Sequence, residues 1–305
     1  MNDLRQSDGW ARYLQRTGWS VEEVKRTRSK IANPAERDKR YKVKVYIRKI
    51  PLIGSVIKIQ RPAEIPPMEE IDRIAKKHRA LFVKIEPVVS SQEPVAGFEP
   101  DPNPNLPTKT MVIDLTKAEK KLWDDLSQDA RQSVRKARSE QLTVNSYQFG
   151  KPGFDKALNE FHQLLKETGR RQGFWTPSLA QLQVKAGAFG QDVILFLVQP
   201  GPLAGAFFLR DGETVYYHHA GSSPEGREKH APYLLLWEVI KFFRNSDKRL
   251  DLEGVSDPRF PKQTKRWSGF TIFKNKFGGN KIEYPRPLIR YYHPLVKLLF
   301  SLAGV

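Results

Sequence analysis

Apolar and polar residues alternate along parts of the first third of the chain, which is the pattern of half-exposed strands. The stretch 41–47, YKVKVYI, places apolar and basic side chains on opposite faces. Ile71, Ile74 and Ala75 instead recur at the spacing of one helical face. These patterns predict strands at 41–47, 55–60 and 81–87, and helices at 5–18 and 67–79.

The same two periods return after a stretch at 90–110 that is rich in Pro, Asn and Ser, which we predict to be a linker. Thr116 followed by Glu119 is a capping-box signal for a helix, and Asp211-Gly212 between apolar runs predicts a β-hairpin. The patterns predict strands at 111–115, 193–198, 203–210, 214–220 and around Asp251, and helices at 117–139, 154–171 and 231–244. Each half therefore mixes strands and helices, which predicts an α/β or α+β layered fold.

Aromatic and basic residues are interleaved in the stretch 267–277, WSGFTIFKNKF. We interpret it as a strand that buries its rings on one face and directs Lys274 and Lys276 elsewhere. The following Gly278-Gly279 would let the backbone turn where a side chain would obstruct it. An ordinary strand with solvated lysines explains the same pattern.

The charge balance points to a polyanionic partner. The chain has 52 Lys and Arg against 34 Asp and Glu, a net charge of +18. An excess of this size favours RNA, DNA, an anionic membrane face or phosphorylated substrates, although a basic surface also serves solubility. The chain has no Cys, which excludes disulfides, thiolate catalysis and Cys-based zinc sites. Its six His form no HExxH pattern, so no metal is expected.

Several motifs and segments are absent from the sequence. It contains no G-x-x-x-x-G-K-[ST] loop and no G-x-S-x-G elbow, which argues against a P-loop nucleotide site and a serine hydrolase. The start is polar and no long uncharged apolar window occurs, so we expect a cytoplasmic protein. The C-terminal HPLVKLLFSLAGV is apolar but too short to span a bilayer; it could pack on the body or lie on a membrane surface.

Short motifs spread over nearly the whole chain occur in the order found in one known family. They are QSDGWAR at 6–12, Arg61-Pro62 after a strand, VIDLT at 112–116, ARQSVRKA at 130–137, RQGF at 171–174, AGS at 220–222, APY at 231–233 and FKNKFGG at 273–279. Together they resemble the FemABX family of peptidoglycan-bridge aminoacyltransferases. This sequence departs from the family's R/K-G-P motif, because no Gly lies between Arg61 and Pro62.

The resemblance implies two GNAT-like acyltransferase domains that face a shared cleft. Domain 1, on the precursor side, would comprise residues 1–107 and about 286–305, because the C-terminal tail returns to the first domain in this family. Domain 2, on the aminoacyl-tRNA side, would comprise residues 108–285. The spacing leaves no room for the coiled-coil arm of some members, so an armless form is expected.

The resemblance also implies a reaction. Such proteins move an amino acid from aminoacyl-tRNA to an amine on the stem peptide of a peptidoglycan precursor, and they need no cofactor because the ester is already activated. A fixed cation would stabilise the oxyanion of the transition state, and a carboxylate could take the proton of the attacking ammonium. The net charge of +18 agrees with a tRNA partner.

Three residues take the leading roles by this resemblance. Lys274 matches the lysine thought to stabilise the oxyanion, with Lys276 as the alternative if the register differs. Glu86 stands where a relative has an acid that has been considered a base or a substrate-orienting group. Arg12 stands where the family can present a Lys to the substrate's diphosphate, which the forked donors of Arg suit. A solvated Glu86 and a helix-surface Arg12 are the structural alternatives.

Further contacts follow from the other motifs. The substrate-binding candidates beyond Arg12 are Arg61, His219, Trp175 and Thr176. His219 is Tyr in some members, and a lone His in a strand is often structural. The turn at 175–177 lacks the Arg of a Thr-x-Arg-Pro pattern that some relatives carry, which favours a lipid-linked precursor over a nucleotide-linked one. The basic residues that could hold the tRNA acceptor arm, or simply form a solvated helix face, are Arg131, Arg135, Lys136 and Arg138.

Two other functions stay open at this stage. The first is an N-acyltransferase of the same fold with another acyl donor, such as acyl-CoA. A pyrophosphate loop of the R/Q-x-x-G-x-G/A type would support it, and the sequence contains none. The second is a non-enzymatic RNA-binding protein on the same scaffold, which a loss of the partners of Lys274 would favour. Peripheral contact with the inner face of the cytoplasmic membrane is also left open.

Overall fold

The computed structural model describes residues 3–27, 40–89 and 95–302. The chain divides into two compact units. The first unit contains residues 1–108 and 284–305, and the second contains residues 109–283. Each unit has a mixed sheet with helices packed on it, which is the α/β class predicted from the sequence.

The strands and helices are numbered along the chain. The strands are β1 (Ser20–Thr27), β2 (Arg40–Ile50), β3 (Gly54–Gln60), β4 (Ala80–Glu86), β5 (Glu99–Pro100), β6 (Lys109–Asp114), β7 (Thr143–Gln148), β8 (Val193–Gln199), β9 (Ala204–Asp211), β10 (Thr214–Ser222), β11 (Arg249–Gly254), β12 (Asn280–Glu283) and β13 (Leu288–Tyr291). The helices are α1 (Asp8–Arg16), α2 (Met68–Lys77), α3 (Glu119–Asp124), α4 (Gln128–Ser139), α5 (Phe154–Gln172), α6 (Leu179–Phe189), α7 (Pro224–Glu228), α8 (Ala231–Phe243), α9 (Pro261–Thr264), α10 (Ser268–Asn275) and α11 (Pro294–Leu302). No helix among the described residues is both long enough and apolar enough to cross a bilayer.

The sheet of the first unit has the order β1-β2-β3-β4-β13-β5. Its neighbours are antiparallel except for β3 and β4, which are parallel and connected by α2. The alternation that predicted β2 buries Val43, Val45 and Ile47, and these pack in one core with Ile71 and Ile74 of α2. Burial of one face fixes the strand register, because a slip of one residue would expose all of these side chains.

The QSDGWAR motif holds α1 against the first sheet. The side chain of Gln6 accepts a hydrogen bond from the Lys44 backbone N at 2.7 Å and donates one to the Gln60 carbonyl at 2.6 Å. The indole of Trp10 donates to the Gln60 side-chain oxygen at 3.1 Å, and the Ser7 hydroxyl caps α1 by accepting from the Trp10 N. The motif therefore has a structural explanation in the contacts of the first unit.

The stretch predicted as a linker is bound to the first unit where it is described. Residues 90–94 lie outside the described residues. Asp101 is buried, its backbone N donates to the Pro287 carbonyl at 2.8 Å, and its carboxylate lies 2.8 Å from the Lys84 Nζ. The part up to residue 108 therefore behaves as an ordered loop, because its polar groups have buried partners.

The sheet of the second unit has the order β12-β6-β11-β10-β9-β8-β7. Strands β10 and β11 are parallel and pair over three residues only, ending at Tyr216 opposite Asp251. Beyond that point β10 continues along β9 to Ser222, and β11 continues along β6 to Gly254. The two strands thus part at their C-terminal ends, and the polar groups described below lie at this opening.

Helices cover both faces of the second sheet. Leu234, Leu235 and Trp237 of α8 belong to the core cluster on one side. On the other side α5 approaches β10 so closely that a Cβ at Gly221 would lie 2.8 Å from the Leu164 carbonyl oxygen. The Thr168 hydroxyl accepts a hydrogen bond from the Ser222 N at 3.0 Å at the same crossing.

The strand predicted over 267–277 is wrong, because the segment forms a short turn followed by α10. Phe270, Phe273, Lys274 and Phe277 recur at i, i+3, i+4 and i+7, which is the period of one helical face. The alternation that suggested a strand extends only over Phe273–Phe277. The longer helical period therefore decided the structure.

The single helix predicted over 117–139 is also wrong, because it divides into α3 and α4. Ser127 lies between them and caps α4 by accepting a hydrogen bond from the Ala130 N at 3.2 Å. The predicted capping box at Thr116 does not form: both the backbone N and the hydroxyl of Thr116 donate to Asp114 instead, at 3.0 and 2.6 Å. Strands β1, β5, β7, β12 and β13 were not predicted, since their apolar runs are short or absent.

Candidate active site

Lys274 lies on the inward face of α10. Its side chain is 8% exposed, and Nζ donates a hydrogen bond of 2.7 Å to the carbonyl of Gly254, the last residue of β11. The ammonium also lies 5.1 Å from the centroid of the Phe270 ring. Burial lowers the pKa of Lys274 to about 8, against the opposing effect of Glu253 and Asp251. Lys274 is therefore mostly cationic at neutral pH and is held in one place.

Aromatic packing fixes the orientation of α10. The ring of Tyr233, on α8, lies 5.0 Å from that of Phe273 and 5.9 Å from that of Phe277. Lys276, the alternative lysine, is partly exposed: its Nζ lies 3.3 Å from the Asp129 carboxylate and 5.8 Å from the centroid of the Tyr233 ring. The structure thus separates the two candidates into a buried cation and a surface ion pair.

Glu253 has a backbone conformation that is rare for its residue type. Its φ is +56°, in the left-handed region that non-glycine residues seldom occupy. The backbone N of Glu253 donates to Asp251 Oδ1 at 2.7 Å, and the same oxygen accepts from the Thr110 hydroxyl. Local strain of this kind costs on the order of 1 kcal/mol and occurs often at functional sites. Here it directs the Glu253 carboxylate towards a histidine.

That histidine belongs to an adjacent pair created by a β-bulge. The register of β10 against β9 shifts between Tyr217 and His219, so the rings of His218 and His219 lie side by side, 4.3 Å apart. In a regular strand they would point to opposite faces. The bulge therefore brings both rings to the opening beyond Tyr216.

A buried lysine connects the two rings. The Nζ of Lys185, on α6, lies 2.7 Å from His218 Nε2 and 3.3 Å from His219 Nε2. His218 Nδ1 is 3.2 Å from the Glu253 carboxylate, and because a carboxylate only accepts, the proton lies on Nδ1. Burial lowers the pKa of His219 well below its usual value, and the charges of His218 and Lys185 add to this effect. The result is a polar chain from Glu253 through His218 and Lys185 to His219.

Of this chain, sequence reasoning had singled out only His219. It missed His218, Lys185 and Glu253. The sequence does carry a signal for Lys185, which is the lone charged residue of the helix LAQLQVKAGAF. The bulge, by contrast, has no sequence signature that we recognise, and without it His218 would not reach Lys185.

The aromatic loop at 173–178 lies next to the segment that carries Lys274. Trp175 is 74% exposed and Phe174 is also exposed. The guanidinium of Arg266, just before α10, donates to the carbonyl of Gly173. A Cβ at Gly169 would collide with the side chain of Thr176, so this Gly lets the loop fold back on α5. Trp175 and Thr176 are thereby held near the segment that leads into α10.

The basic face of α4 is partly used within the protein. The guanidinium of Arg131 donates to the carbonyls of Asp124 and Leu126, at 3.0 and 2.7 Å, and so caps the end of α3. Arg135 lies over the Trp123 ring at 5.7 Å, and Arg138 pairs with Glu238 at 3.0 Å. Lys136 and Arg135 are exposed. The tRNA-binding role of these four residues stays a prediction.

In the first unit, Glu86 and Arg61 hold one loop. Glu86 is buried, and its Oε1 accepts from the backbone N of Asn105 and of Leu106, at 2.8 and 2.7 Å. Its Oε2 has no hydrogen-bond partner among the described residues. Arg61 donates to the Pro107 carbonyl and stacks 3.7 Å from the centroid of the Tyr284 ring. Glu86 is therefore not a solvated residue, which was its structural alternative.

Arg12 lies on the exposed face of α1, as a helix-surface residue does. Burial lowers the pKa of Arg61 below its usual value.

Among the described residues, no group of three or more His, Asp and Glu side chains could hold a metal ion.

Comparison with known proteins agrees with this architecture. The sequence profile of the FemAB family matches residues 198–303. The solved structure described as FemX is 18% identical, with a TM-score of 0.77 over 98% of this chain and 94% of that one. The predicted resemblance to the FemABX family is confirmed. The FemAB-matching segment contains Lys274, Glu253 and both histidines of the site.

Two further solved structures share the fold at lower similarity. A C-terminal domain described as that of a lysylphosphatidylglycerol synthetase from Agrobacterium fabrum is 13% identical, with a TM-score of 0.55 over 98% of this chain and 92% of that one. A tandem GNAT protein from the clavulanic acid biosynthesis pathway is 9% identical, with a TM-score of 0.53 over 91% of this chain and 84% of that one. No curated protein matches the sequence.

The GNAT-like fold class is confirmed. Among the described residues the longest helix, α5, has 19 residues, and no coiled-coil arm occurs there. At the level of a broad class, the family match and the fold support a peptidoglycan-related aminoacyltransferase.

Proposed function

We propose that the protein transfers an amino acid from aminoacyl-tRNA to the stem-peptide amine of a peptidoglycan precursor, with Lys274 as the oxyanion-stabilising cation. The observation that carries this proposal is the position of Lys274: buried, bonded to the Gly254 carbonyl and placed where β10 and β11 part. The FemAB match over the same segment supports it.

The reaction needs little from the protein beyond placement and charge. The precursor amine attacks the ester carbonyl, a C–N bond forms, and the carbonyl π electrons become an oxyanion. When the intermediate collapses, the C–O bond to the tRNA ribose breaks and the ribose oxygen leaves. A fixed ammonium such as Lys274 within hydrogen-bond reach of the oxyanion contributes about 3 kcal/mol to such a step.

The attacking ammonium must first lose a proton. Glu253 is the carboxylate that lies closest in sequence to the Gly254 anchor of Lys274, and the bond from His218 Nδ1 orients it. Glu253 would take this first proton and release it to solvent. A second proton, lost from the attacking nitrogen as the amide forms, would pass to the leaving ribose oxygen, so atoms and charges balance over the reaction. Glu86 stays the alternative base or orienting acid, with one oxygen committed to the loop at 105–106.

The substrates would contact residues that the resemblance pointed out. Basic residues of α4 would bind the acceptor arm of tRNA, and the exposed Trp175 and Thr176 loop, with Arg12, His219 and Arg61, would serve the precursor. The missing Arg in the 175–177 turn favours a lipid-linked precursor. The alternative of a non-enzymatic RNA-binding protein is less well supported, because Lys274 retains a carbonyl partner and two nearby acids.

A transfer assay tests the proposal directly. The protein is mixed with a pool of radiolabelled aminoacyl-tRNA and either lipid-linked or nucleotide-linked precursor, and label on the precursor is measured. We expect transfer by the wild type and a loss of about 100-fold or more in Lys274→Met. Lys276→Met is the matched control, since it removes a lysine from the surface of the same segment.

Three outcomes would contradict the proposal. Equal transfer by Lys274→Met and the wild type would remove Lys274 from the chemistry. No transfer to either precursor, with tight binding of tRNA, would favour an RNA-binding protein, whereas no transfer and no binding would favour another acyl donor.

A further inference from the structure

The turn between β2 and β3 exposes two large apolar side chains. Leu52 is 103% exposed relative to its reference state, and Ile53 is 60% exposed. Leu52 also has a φ of +64°, a conformation that Gly, Asn or Asp usually occupies. A turn in water would be more stable with one of those residues. Both the exposure and the backbone strain therefore call for an explanation beyond folding.

Helix α11 presents a second exposed apolar face. Leu295, Leu298 and Leu299 are 61%, 54% and 64% exposed and lie at i, i+3 and i+4. Phe300 points the other way and packs on Phe82 at 5.7 Å. The helix is thus anchored to the sheet by one side while it shows leucines on the other.

Both features lie at the same end of the first sheet. Strands β3 and β4 are parallel and begin side by side, with Ser55 paired with Ala80. Strand β13 is antiparallel to β4 and ends here, with Tyr291 opposite Phe82. The turn that precedes β3 and the helix that follows β13 therefore lie at the same end of the sheet. The contact of Phe300 with Phe82 keeps α11 at this end.

Exposed cations lie at the same end of the first sheet. Lys49, Lys76 and Arg79 are exposed at the same end, and the carbonyl of Arg79 accepts from the Ser55 N next to the turn. Two acids of this region are neutralised, Glu22 by Lys77 at 2.7 Å and Glu99 by Lys297 at 2.9 Å. Apolar side chains within a basic rim match an anionic lipid surface, where leucines enter the acyl boundary and cations meet phosphates.

We propose that this end of the first unit docks on an anionic lipid surface by inserting two elements: the apolar tip, Leu52 and Ile53, and the leucine face of α11, Leu295, Leu298 and Leu299. The inference rests on the first unit alone and does not need the transferase chemistry. If the acceptor is lipid-linked, such docking would also bring the enzyme to the surface that holds it.

Vesicle sedimentation tests the proposal without tRNA or precursor. The full chain is mixed with vesicles of phosphatidylcholine and phosphatidylglycerol, or of phosphatidylcholine alone, and the bound fraction is measured. We expect binding to the anionic vesicles, and a loss of about tenfold or more in the partition constant for Leu52→Asp/Ile53→Asp and for Leu295→Asp/Leu299→Asp.

The matched control is Val89→Asp. Val89 is also an exposed apolar residue of the first unit, but it follows the opposite end of β4. This variant should bind vesicles as the wild type does. Asp tolerates the left-handed conformation better than Leu, so the change at position 52 does not endanger folding.

A glycine variant separates docking from folding. Leu52→Gly relieves the strained backbone while it removes the apolar side chain, so its melting temperature should not fall although vesicle binding does.

Three results would overturn the proposal. The first is no binding of the wild type to anionic vesicles. The second is equal binding of the wild type and both Asp pairs, which would leave charge alone as the cause. The third is a dimer in light scattering that the Asp pairs dissociate without a change in vesicle binding, which would assign the surface to a second copy of the chain.

Discussion

At the scale of single residues, the candidate site consists of charges that folding buries at a cost. Lys274 and Lys185 are both buried, and each is held by polar groups rather than by water. Buried charges without a structural need are rare because desolvation opposes them. Glu253 adds backbone strain in the same place. These costs are easiest to understand if the residues perform chemistry.

The pKa of Lys274 gives a prediction about stability. Its folded value of about 8 lies below its usual 10.5, so between these values the unfolded chain binds a proton that the folded chain has released. The free energy of unfolding therefore rises as pH increases through this window, and it is reduced below about pH 8. Lys274→Met removes this buried ammonium, so it should raise the free energy of unfolding at pH 7 by about 1–3 kcal/mol. The lost hydrogen bond to the Gly254 carbonyl offsets part of the gain.

Urea unfolding of the wild type and Lys274→Met at pH 7 and pH 10.5 measures this effect. The advantage of the variant should shrink at the higher pH. A variant that is less stable at pH 7 and shows no such pH dependence would contradict the assignment of a costly buried ammonium.

At the scale of elements, the close approach of α5 to β10 shapes the opening where the site lies. Gly221 allows it, because its missing Cβ leaves room for the backbone of α5 at Leu164. The bulge at His218 lies a few residues before Gly221 on the same strand. Packing of α5 and the position of the two histidines are therefore linked through β10.

Gly221→Ala tests this packing. The added Cβ would meet backbone atoms of α5 that have no room to move, so we expect a loss of about 2 kcal/mol or more in unfolding free energy. Gly269→Ala is the control, since a Cβ there meets nothing within 4 Å and lies in α10. That change should stabilise the protein by about 0.5–1 kcal/mol. Similar stability of both variants would show that α5 can shift at no cost.

At the scale of the whole molecule, the net charge of +18 predicts salt-dependent binding of a polyanion. We expect the affinity for tRNA to fall steeply between low and physiological salt. The Lys and Arg side chains that contact phosphates displace the counterions of the RNA, and this displacement is less favourable at high salt. Arg135→Glu/Lys136→Glu should lower the affinity by about tenfold or more and reduce the salt slope.

The control for this prediction carries the same change of charge elsewhere. Lys151→Glu/Lys156→Glu alters two exposed lysines at the start of α5 and before it. Binding measured over a salt series should show a smaller effect for this pair. Equal losses of tRNA affinity for both pairs would mean that only the total charge matters and that α4 is not a specific tRNA-binding surface.

The sequence alone determined the elements with long, regular periods and the family resemblance. The alternation in β2 and the helical face of α2 each follow from many residues that agree, so local pattern and burial coincide. Lys274 was found through the FKNKFGG motif, although its helix was mistaken for a strand because the alternation over Phe273–Phe277 was read in place of the longer helical period.

Only the tertiary structure decided how the site is assembled. His218 and His219 are neighbours in sequence, and only the bulge in β10 turns both rings to one side. Lys185 lies on α6, 33 residues before His218 in the sequence. The direction of the Glu253 carboxylate depends on the left-handed backbone conformation of Glu253 itself. Such contacts depend on register shifts and long-range packing, which a local period of apolar and polar residues does not encode.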